Sequence, residues 1–177
     1  MESKKEFMEC FLLEDSTKTP ETTADASGRE DCGRCATKGS PVSRKTVLLM
    51  LKSQLLEQAS TGKYRFCATR DCSIVYFEED GNRFFTQDDL RVRVGVKSSS
   101  DPIPLCYCFG FDESHLRDEI SQTRSSSIPE RVSRLIREGL CACDTRNPSG
   151  NCCLGEVNKA AKRIKEEVLD SRLNSRV

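Results

Sequence analysis

From about residue 45 onward, apolar residues recur at the spacings that are typical of helices and strands. Leucines at helical spacing and strong helix formers predict a helix over residues 45–58. Short β-prone runs follow it, at residues 64–66, 73–77, 83–86 and 90–94. The last of these runs, LRVRV, alternates apolar and basic side chains as a half-exposed edge strand does. The pattern predicts a small α/β unit over residues 32–97.

The pattern becomes helical beyond a short polar stretch. Residues 98–105, which begin SSSDPIP, have the composition of a linker. Three helices are predicted after it, over residues 113–122, 128–138 and about 153–174. Asp112 and Ser127 are candidate N-caps, and Gly139 ends the second helix. The fold class is therefore α+β, with the α/β unit followed by a helical domain over residues 106–177.

Residues 1–31 form an acidic segment with little apolar periodicity. Their net charge is −5, whereas residues 32–105 carry +4 and residues 106–177 carry +1. We expect this segment to be a largely disordered tail. None of the three segments has the strongly basic character of a nucleic-acid-binding protein, and aromatic residues make up only 6% of the chain, so we expect no nucleic-acid partner.

The chain contains 11 cysteines and one histidine in 177 residues. No secretory signal is evident, and the longest apolar run, Val47 to Leu51, is far too short to cross a membrane. We therefore expect a cytoplasmic protein without membrane insertion, in which thiols stay reduced and bind metal. The single histidine excludes sites that need several histidines, such as three-His catalytic zinc.

The first cysteine group consists of two short-spaced pairs. Cys32 and Cys35 form a CxxC knuckle, and Cys67 and Cys72 lie between two β-prone runs. Four thiolates spaced in this way are typical of a closed structural zinc site. The alternatives are a redox dithiol at the CxxC pair, which would need a βαβ setting that the pattern lacks, and unrelated buried thiols.

The second cysteine group begins with the CxC pair Cys106 and Cys108. It continues with two further cysteine pairs, at residues 141 and 143 and at residues 152 and 153. Four thiolates can hold a [2Fe–2S] cluster, two for each iron. Helix N-termini favour an anionic cluster, which favours Cys153 over Cys152 because Cys153 precedes the last helix. We expect no enzyme, because no Ser-His-Asp set, phosphate-binding loop or open metal position is visible.

Residues 106–162 resemble the bacterioferritin-associated-ferredoxin type of [2Fe–2S] domain. Residues 32–163 are similar to the N-terminal domain of the CopZ copper-chaperone family, which joins a zinc-binding subdomain to such a cluster. The resemblance covers about three quarters of the chain. It rests on these motifs: CGxC at residues 32–35, FCxTxDC at 66–72, VYF at 75–77, VRVG at 92–95, the PxxLCYCFG-like stretch at 102–110 and NPxGxCCLG at 147–155.

The resemblance implies zinc at the first cysteine group and a [2Fe–2S] cluster at the second. The implied zinc ligands are Cys32, Cys35, Cys67 and Cys72. The implied cluster ligands are Cys106, Cys108, one of Cys141/Cys143 and one of Cys152/Cys153, with family spacing and the position before the helix favouring Cys143 and Cys153. Cys10 is then left free. Cys141 and Cys152 are either adjacent thiols without a ligand role or auxiliary thiols for a soft metal such as Cu(I).

The family pattern includes a second domain with a copper-binding MxCxxC motif, which this sequence lacks. We therefore expect a one-electron carrier in copper or mercury trafficking or detoxification, without direct copper delivery by that motif. Its partners would be a metal-transporting ATPase, another metal carrier or a redox protein. The alternatives are a general ferredoxin that serves a reductase or ferritin, and a zinc-only adaptor.

Overall fold

The computed structural model describes residues 28–81 and 83–174 of the chain. Most of the predicted tail, including Cys10, lies outside these residues. Residues 29–31, however, contact the sheet of the first unit. The Arg29 N–H donates to the carbonyl of Glu79, and the Glu30 carboxylate pairs with Arg65 at 2.6 Å. The described part of the first unit therefore begins a few residues before Cys32.

The first unit is built on a four-stranded antiparallel sheet in the order β1-β2-β3-β4. Its strands are β1 (Ser40–Val42), β2 (Tyr64–Phe66), β3 (Ile74–Glu78) and β4 (Phe84–Thr86). The three β-prone runs between residues 64 and 86 are therefore confirmed as strands. All five residues of β3 are buried because this central strand is covered on both faces. In the edge strand β4, Phe85 is buried, whereas Phe84 is 60% exposed because it lies on the opposite, outer face of the strand.

The predicted helix over residues 45–58 is divided in the structure. Helix α1 (Arg44–Met50) has Ser43 as its N-cap and Leu51 as its C-cap, and a separate 3-10 turn follows at Ser53–Gln58. Leu51 is fully buried and extended, and its carbonyl accepts two hydrogen bonds from Arg91, at 2.8 and 2.6 Å. These tertiary contacts replace the helical hydrogen bonds that residues beyond Leu51 would otherwise make.

The predicted edge strand at residues 90–94 is also different in the structure. It makes only one isolated bridge, between Leu90 and Leu51. Val94 turns into the core, and its N–H donates to the Gln87 side chain at 2.9 Å. The alternation of apolar and basic residues instead reflects an irregular segment whose valines face the core and whose arginines bind backbone carbonyls.

The second unit consists of a two-stranded hairpin and four helices. Its elements are β5 (Pro104–Cys106), β6 (Phe111–Asp112), α2 (Glu113–Thr123), α3 (Ile128–Arg137), α4 (Cys143–Arg146) and α5 (Leu154–Asn174). The three predicted helices are confirmed with small shifts at their ends, and Asp112 caps α2 by accepting the N–H of Ser114 at 2.9 Å. The short α4 was not predicted.

Helices α2 and α3 both pack against α5. Leu116, Ile120, Val132, Val157 and Ile164 are nearly or fully buried between them. Burial of such side chains stabilises the folded state by about 1.5–3 kcal/mol each. Among the described helices, none combines the length and apolar character that a bilayer-spanning segment needs.

Candidate metal centres

The four thiols of the first cysteine group converge in the structure. The Sγ atoms of Cys32, Cys35, Cys67 and Cys72 all lie within 4.8 Å of one another. Cys32 Sγ is 3.8 Å from Cys72 Sγ, and Cys35 Sγ is 3.6 Å from Cys67 Sγ. A tetrahedral zinc ion with four sulfurs at about 2.3 Å has sulfur–sulfur edges of about 3.8 Å. The donor set and its spacing therefore fit one zinc ion with no open position.

Backbone hydrogen bonds place both cysteine pairs. The Cys32 N–H donates to the Thr37 carbonyl at 3.0 Å, and the Cys32 carbonyl accepts from the Ala36 N–H at 2.8 Å. Ala36 has a φ of +53°, which completes the tight turn of the knuckle. On the facing side, the Cys67 N–H donates to the Val75 carbonyl at 2.8 Å. The second pair is thus held where β2 ends and β3 begins.

The electrostatic environment of these thiols differs within the group. Hydrogen bonding from the Thr69 hydroxyl lowers the pKa of Cys35 to about 6, whereas burial raises the pKa of Cys72 to about 12. Without a cation, burial therefore disfavours ionisation of Cys67 and Cys72. A divalent ion offsets the desolvation of the thiolates, and its binding releases protons.

Lys97 also contributes to the site formed by the four thiols, although it is not one of the predicted ligands. Its ammonium group donates to the carbonyls of Thr69 and Cys72 at 2.8 and 2.9 Å. It fixes the loop between Cys67 and Cys72 and brings a positive charge close to the thiolates. The contacts span 25 and 28 residues, so no local pattern could indicate them.

We expect Lys97→Met to weaken zinc binding by about 10- to 100-fold, because outer partners of this kind contribute that much to metal affinity. The methionine keeps much of the side-chain length and removes the donors. Competition with a chromogenic zinc chelator measures the change. Lys63→Met is the matched control, since the Lys63 side chain is exposed and lies at the opposite end of β2 from Cys67. Equal affinities for the two variants would contradict the role of Lys97.

The second cysteine group has a different geometry. Cys106 Sγ lies 3.2 Å from Cys153 Sγ, and Cys108 Sγ lies 3.7 Å from Cys143 Sγ. Among the described residues, three or more metal-ligating side chains that could hold one ion come together only at the first cysteine group. The shortest sulfur–sulfur contacts of the second group are thus two separate ones, Cys106–Cys153 and Cys108–Cys143, whereas the four thiols of the first group form one compact set.

Each of these four thiols is placed by the end of an element or by a turn. Cys106 ends β5, and its carbonyl accepts the Gly110 N–H at 2.9 Å in a turn where Gly110 has a φ of +72°. Cys143 begins α4. Cys153 immediately precedes α5, and its carbonyl accepts the Val157 N–H at 3.0 Å. Two of the four sulfurs thus lie at the N-terminal ends of α4 and α5.

The remaining two cysteines of this region lie outside the pairs. Cys141 is half-buried and Cys152 is exposed. The pKa of Cys141 is raised by desolvation and by the neighbouring sulfurs, Cys143 first among them. Both thiols therefore lie beside the paired set, with Cys152 facing solvent.

Comparison with known proteins gives three consistent similarities. Residues 29–91 match the family model zf_CopZ, described as a zinc binding domain. The chain is 32% identical over 144 residues to the copper chaperone CopZ of Archaeoglobus fulgidus. The matched region covers 75% of this chain and 67% of that protein. Its fold is similar to the X-ray structure of the Archaeoglobus fulgidus CopZ N-terminal domain, with a TM-score of 0.62 and 30% identity over 73% of this chain and 95% of that one. The chain belongs to the CopZ family.

Proposed function

We propose that this chain is a zinc and [2Fe–2S] protein of the cytoplasm that passes single electrons in soft-metal trafficking. Zinc would have a structural role at Cys32, Cys35, Cys67 and Cys72 in residues 32–97. The cluster would be held by Cys106, Cys108, Cys143 and Cys153 in residues 106–177. The linker at residues 98–105 would join the two units.

The arrangement of the second cysteine group in two pairs carries the proposal. A [2Fe–2S] cluster needs two thiolates on each iron. The pairs Cys106/Cys153 and Cys108/Cys143, at 3.2 and 3.7 Å, supply two close sulfurs twice. A single zinc ion would instead favour four sulfurs that are all close to one another, as in the first group. The pairing therefore supports the cluster over a zinc-only adaptor.

Hydrogen-bond donors lie beside several of these sulfurs. The contact between Cys106 and Cys153 lowers the pKa of the Cys106 thiol to about 6 and raises the pKa of the Cys153 thiol, so the pair favours a single negative charge in the absence of a metal. The Ala142 N–H donates to Cys108 Sγ at 3.3 Å, and the N-terminus of α5 faces the pair that contains Cys153. Such donors stabilise thiolates and tune a cluster's reduction potential. The sulfurs are buried or half-buried, which limits access of water.

Copper is the soft metal that the relationship favours, because the Archaeoglobus fulgidus relative is named a copper chaperone. When bound, the cluster would supply one electron, which suffices to convert Cu(II) to Cu(I), and an external reductase would restore that electron. Cys141 and Cys152 would offer auxiliary thiols to Cu(I), which thiolates prefer. The receiver would be a metal-transporting ATPase or another metal carrier.

The copper step can be tested with anaerobic protein that has been reduced and freed of excess reductant. We expect one Cu(I) to form for each reduced chain when Cu(II) is added, measured with a chromogenic Cu(I) chelator, and no Cu(I) from the oxidised chain beyond that due to free thiols. A thiol-blocked sample measures that background. Reduction of a protein acceptor such as cytochrome c without any Cu(I) formation would contradict the copper role and favour a general electron-transfer protein.

A further inference from the structure

Three side-chain hydroxyls connect the first unit to the segments that carry the second cysteine group. These segments are residues 106–108 and 143–153, called here the ligand loops. The Thr46 hydroxyl donates to the Asp144 carbonyl, and the Tyr76 hydroxyl donates to the Pro148 carbonyl at 2.7 Å. The Tyr107 hydroxyl donates to the Arg93 carbonyl at 3.0 Å. Each bond crosses between the two units and ends inside or beside a ligand loop.

The contact of Tyr76 is fully shielded from water. The Tyr76 side chain has no exposed surface, and burial raises the pKa of its hydroxyl well above the usual range. A buried hydroxyl without a partner is costly, so the Pro148 carbonyl is held at this position. Pro148 lies midway between Cys143 and Cys153, and therefore the bond restrains the loop that separates these two thiols.

The Tyr107 contact restrains the other ligand loop. Tyr107 stands between Cys106 and Cys108, and its hydroxyl also accepts the Gly95 N–H at 2.8 Å. Gly95 begins a 3-10 turn, Gly95–Lys97, whose last residue donates to the Cys72 carbonyl. One short turn thus contacts a zinc-site loop at one end and a ligand loop at the other.

Tyr76 has a comparable connection to the zinc site. It lies in β3, four residues after Cys72, and opposite Phe66 in the sheet register. Phe66 precedes Cys67, whose N–H donates to Val75 in the same strand. The strand that begins two residues after Cys72 is therefore the strand that presents the Tyr76 hydroxyl to Pro148.

We propose that Tyr76 and Tyr107, with Thr46, are positioning residues through which the zinc-bearing unit holds both ligand loops in their paired geometry. The effect of these residues on the cluster rests on the proposed function, whereas their effect on the ligand loops does not. The zinc site then contributes to cluster retention even though its ion carries no electron, because it orders the strand and the turn that present these hydroxyls.

The test uses Tyr76→Phe and Tyr107→Phe in the full, metal-loaded chain. Tyr64→Phe is the matched control, because Tyr64 is a buried tyrosine of the same core whose hydroxyl bonds to the Ser60 N–H at 2.9 Å, within the first unit. The readouts are amide hydrogen exchange in residues 106–110 and 142–153, the rate of iron loss to a ferrous chelator, and the visible circular dichroism of the cluster.

We expect each of the two variants to raise exchange and iron loss by about tenfold, since a net hydrogen-bond contribution of this kind corresponds to roughly one decade. The circular dichroism should change as well, while zinc content stays at the wild-type level. Tyr64→Phe should change none of these. Equal effects of all three variants, or no effect of Tyr76→Phe and Tyr107→Phe, would overturn the proposal.

Failure of the proposed cluster would be distinguishable from failure of the positioning role. If the purified chain holds no iron, the cluster is wrong, and hydrogen exchange in the same chain still decides whether the hydroxyls restrain the loops. Thr46→Val supplies an independent check there, since it removes the hydroxyl that binds the Asp144 carbonyl and keeps the side-chain shape.

Discussion

Replacing Cys153 by Ser is expected to reduce the iron content of the purified chain to near zero. The thiol is buried at the start of α5 and lies 3.2 Å from Cys106 Sγ, whereas the adjacent Cys152 is exposed and would reach this position only if the start of the helix moved. A cluster that loses one of four thiolates is left with an iron held by a single protein sulfur. Iron analysis and the visible absorption of anaerobic protein measure the loss.

The adjacent cysteine supplies the matched control. Cys152 precedes Cys153 by one residue but is exposed and outside the sulfur pairs. We expect Cys152→Ser to retain the iron and the absorption spectrum. The same comparison applies to Cys143→Ser, which should lose iron, and Cys141→Ser, which should keep it. If Cys152→Ser or Cys141→Ser loses the cluster while its neighbour keeps it, the assignment of ligands is wrong.

Replacing Cys72 by Ser should have the largest effect on stability. A structural zinc ion contributes about 10–16 kcal/mol of apparent binding free energy in small domains, which is comparable to the entire stability of a typical domain at about 5–15 kcal/mol. Cys72 is also buried, and its carbonyl accepts the Lys97 ammonium group, so disorder would spread to residues 95–97. We expect loss of zinc and loss of the cooperative unfolding transition of residues 28–97.

Thermal unfolding and limited proteolysis, each with zinc analysis, measure this second effect. Cys152→Ser again provides a control in which one thiol is removed outside the zinc site. Removal of zinc from the wild-type chain with a strong chelator should reproduce the variant's behaviour, because both leave buried thiols without a cation. A zinc-free chain with an unchanged unfolding transition would show that the ion has no structural role.

Strands β2, β3 and β4 of the first unit and the three longer helices of the second could be predicted from local pattern, whereas strand β1 was not predicted. The β-prone runs at residues 64–66 and 73–77 are short and rich in aromatic and β-branched residues, and both form buried strands. Asp112 has the chemistry of an N-cap, and it begins α2 as expected. In these segments local preference and tertiary packing favour the same structure.

Other segments depended on contacts between residues far apart in the chain. The helix that was predicted to continue to residue 58 ends at Met50, because Arg91 and the bridge to Leu90 bind Leu51 in an extended conformation. The sequence within the helix contains no breaker, so no local signal marks the end. Propensity is overridden there by burial of Leu51 and by the Arg91 hydrogen bonds.

The candidate metal centres also combine features that local sequence predicts with features that depend on contacts between distant residues. Cysteine spacing alone could group the thiols into two sets, because short-spaced pairs approach one metal centre from a single turn. Spacing could not reveal which sulfurs pair across the fold, since Cys106/Cys153 are 47 residues apart. Neither Lys97 nor the bond from Tyr76 to Pro148, 72 residues away, has a local motif. Only the packing of the two units brings these groups together.

The most direct test of the account is the ratio of iron, acid-labile sulfide and zinc in anaerobically prepared protein. The two sulfur pairs and the compact four-thiol set predict two irons, two sulfides and one zinc for each chain. Two zinc ions for each chain, with neither iron nor sulfide, would contradict the cluster and leave a zinc-only adaptor.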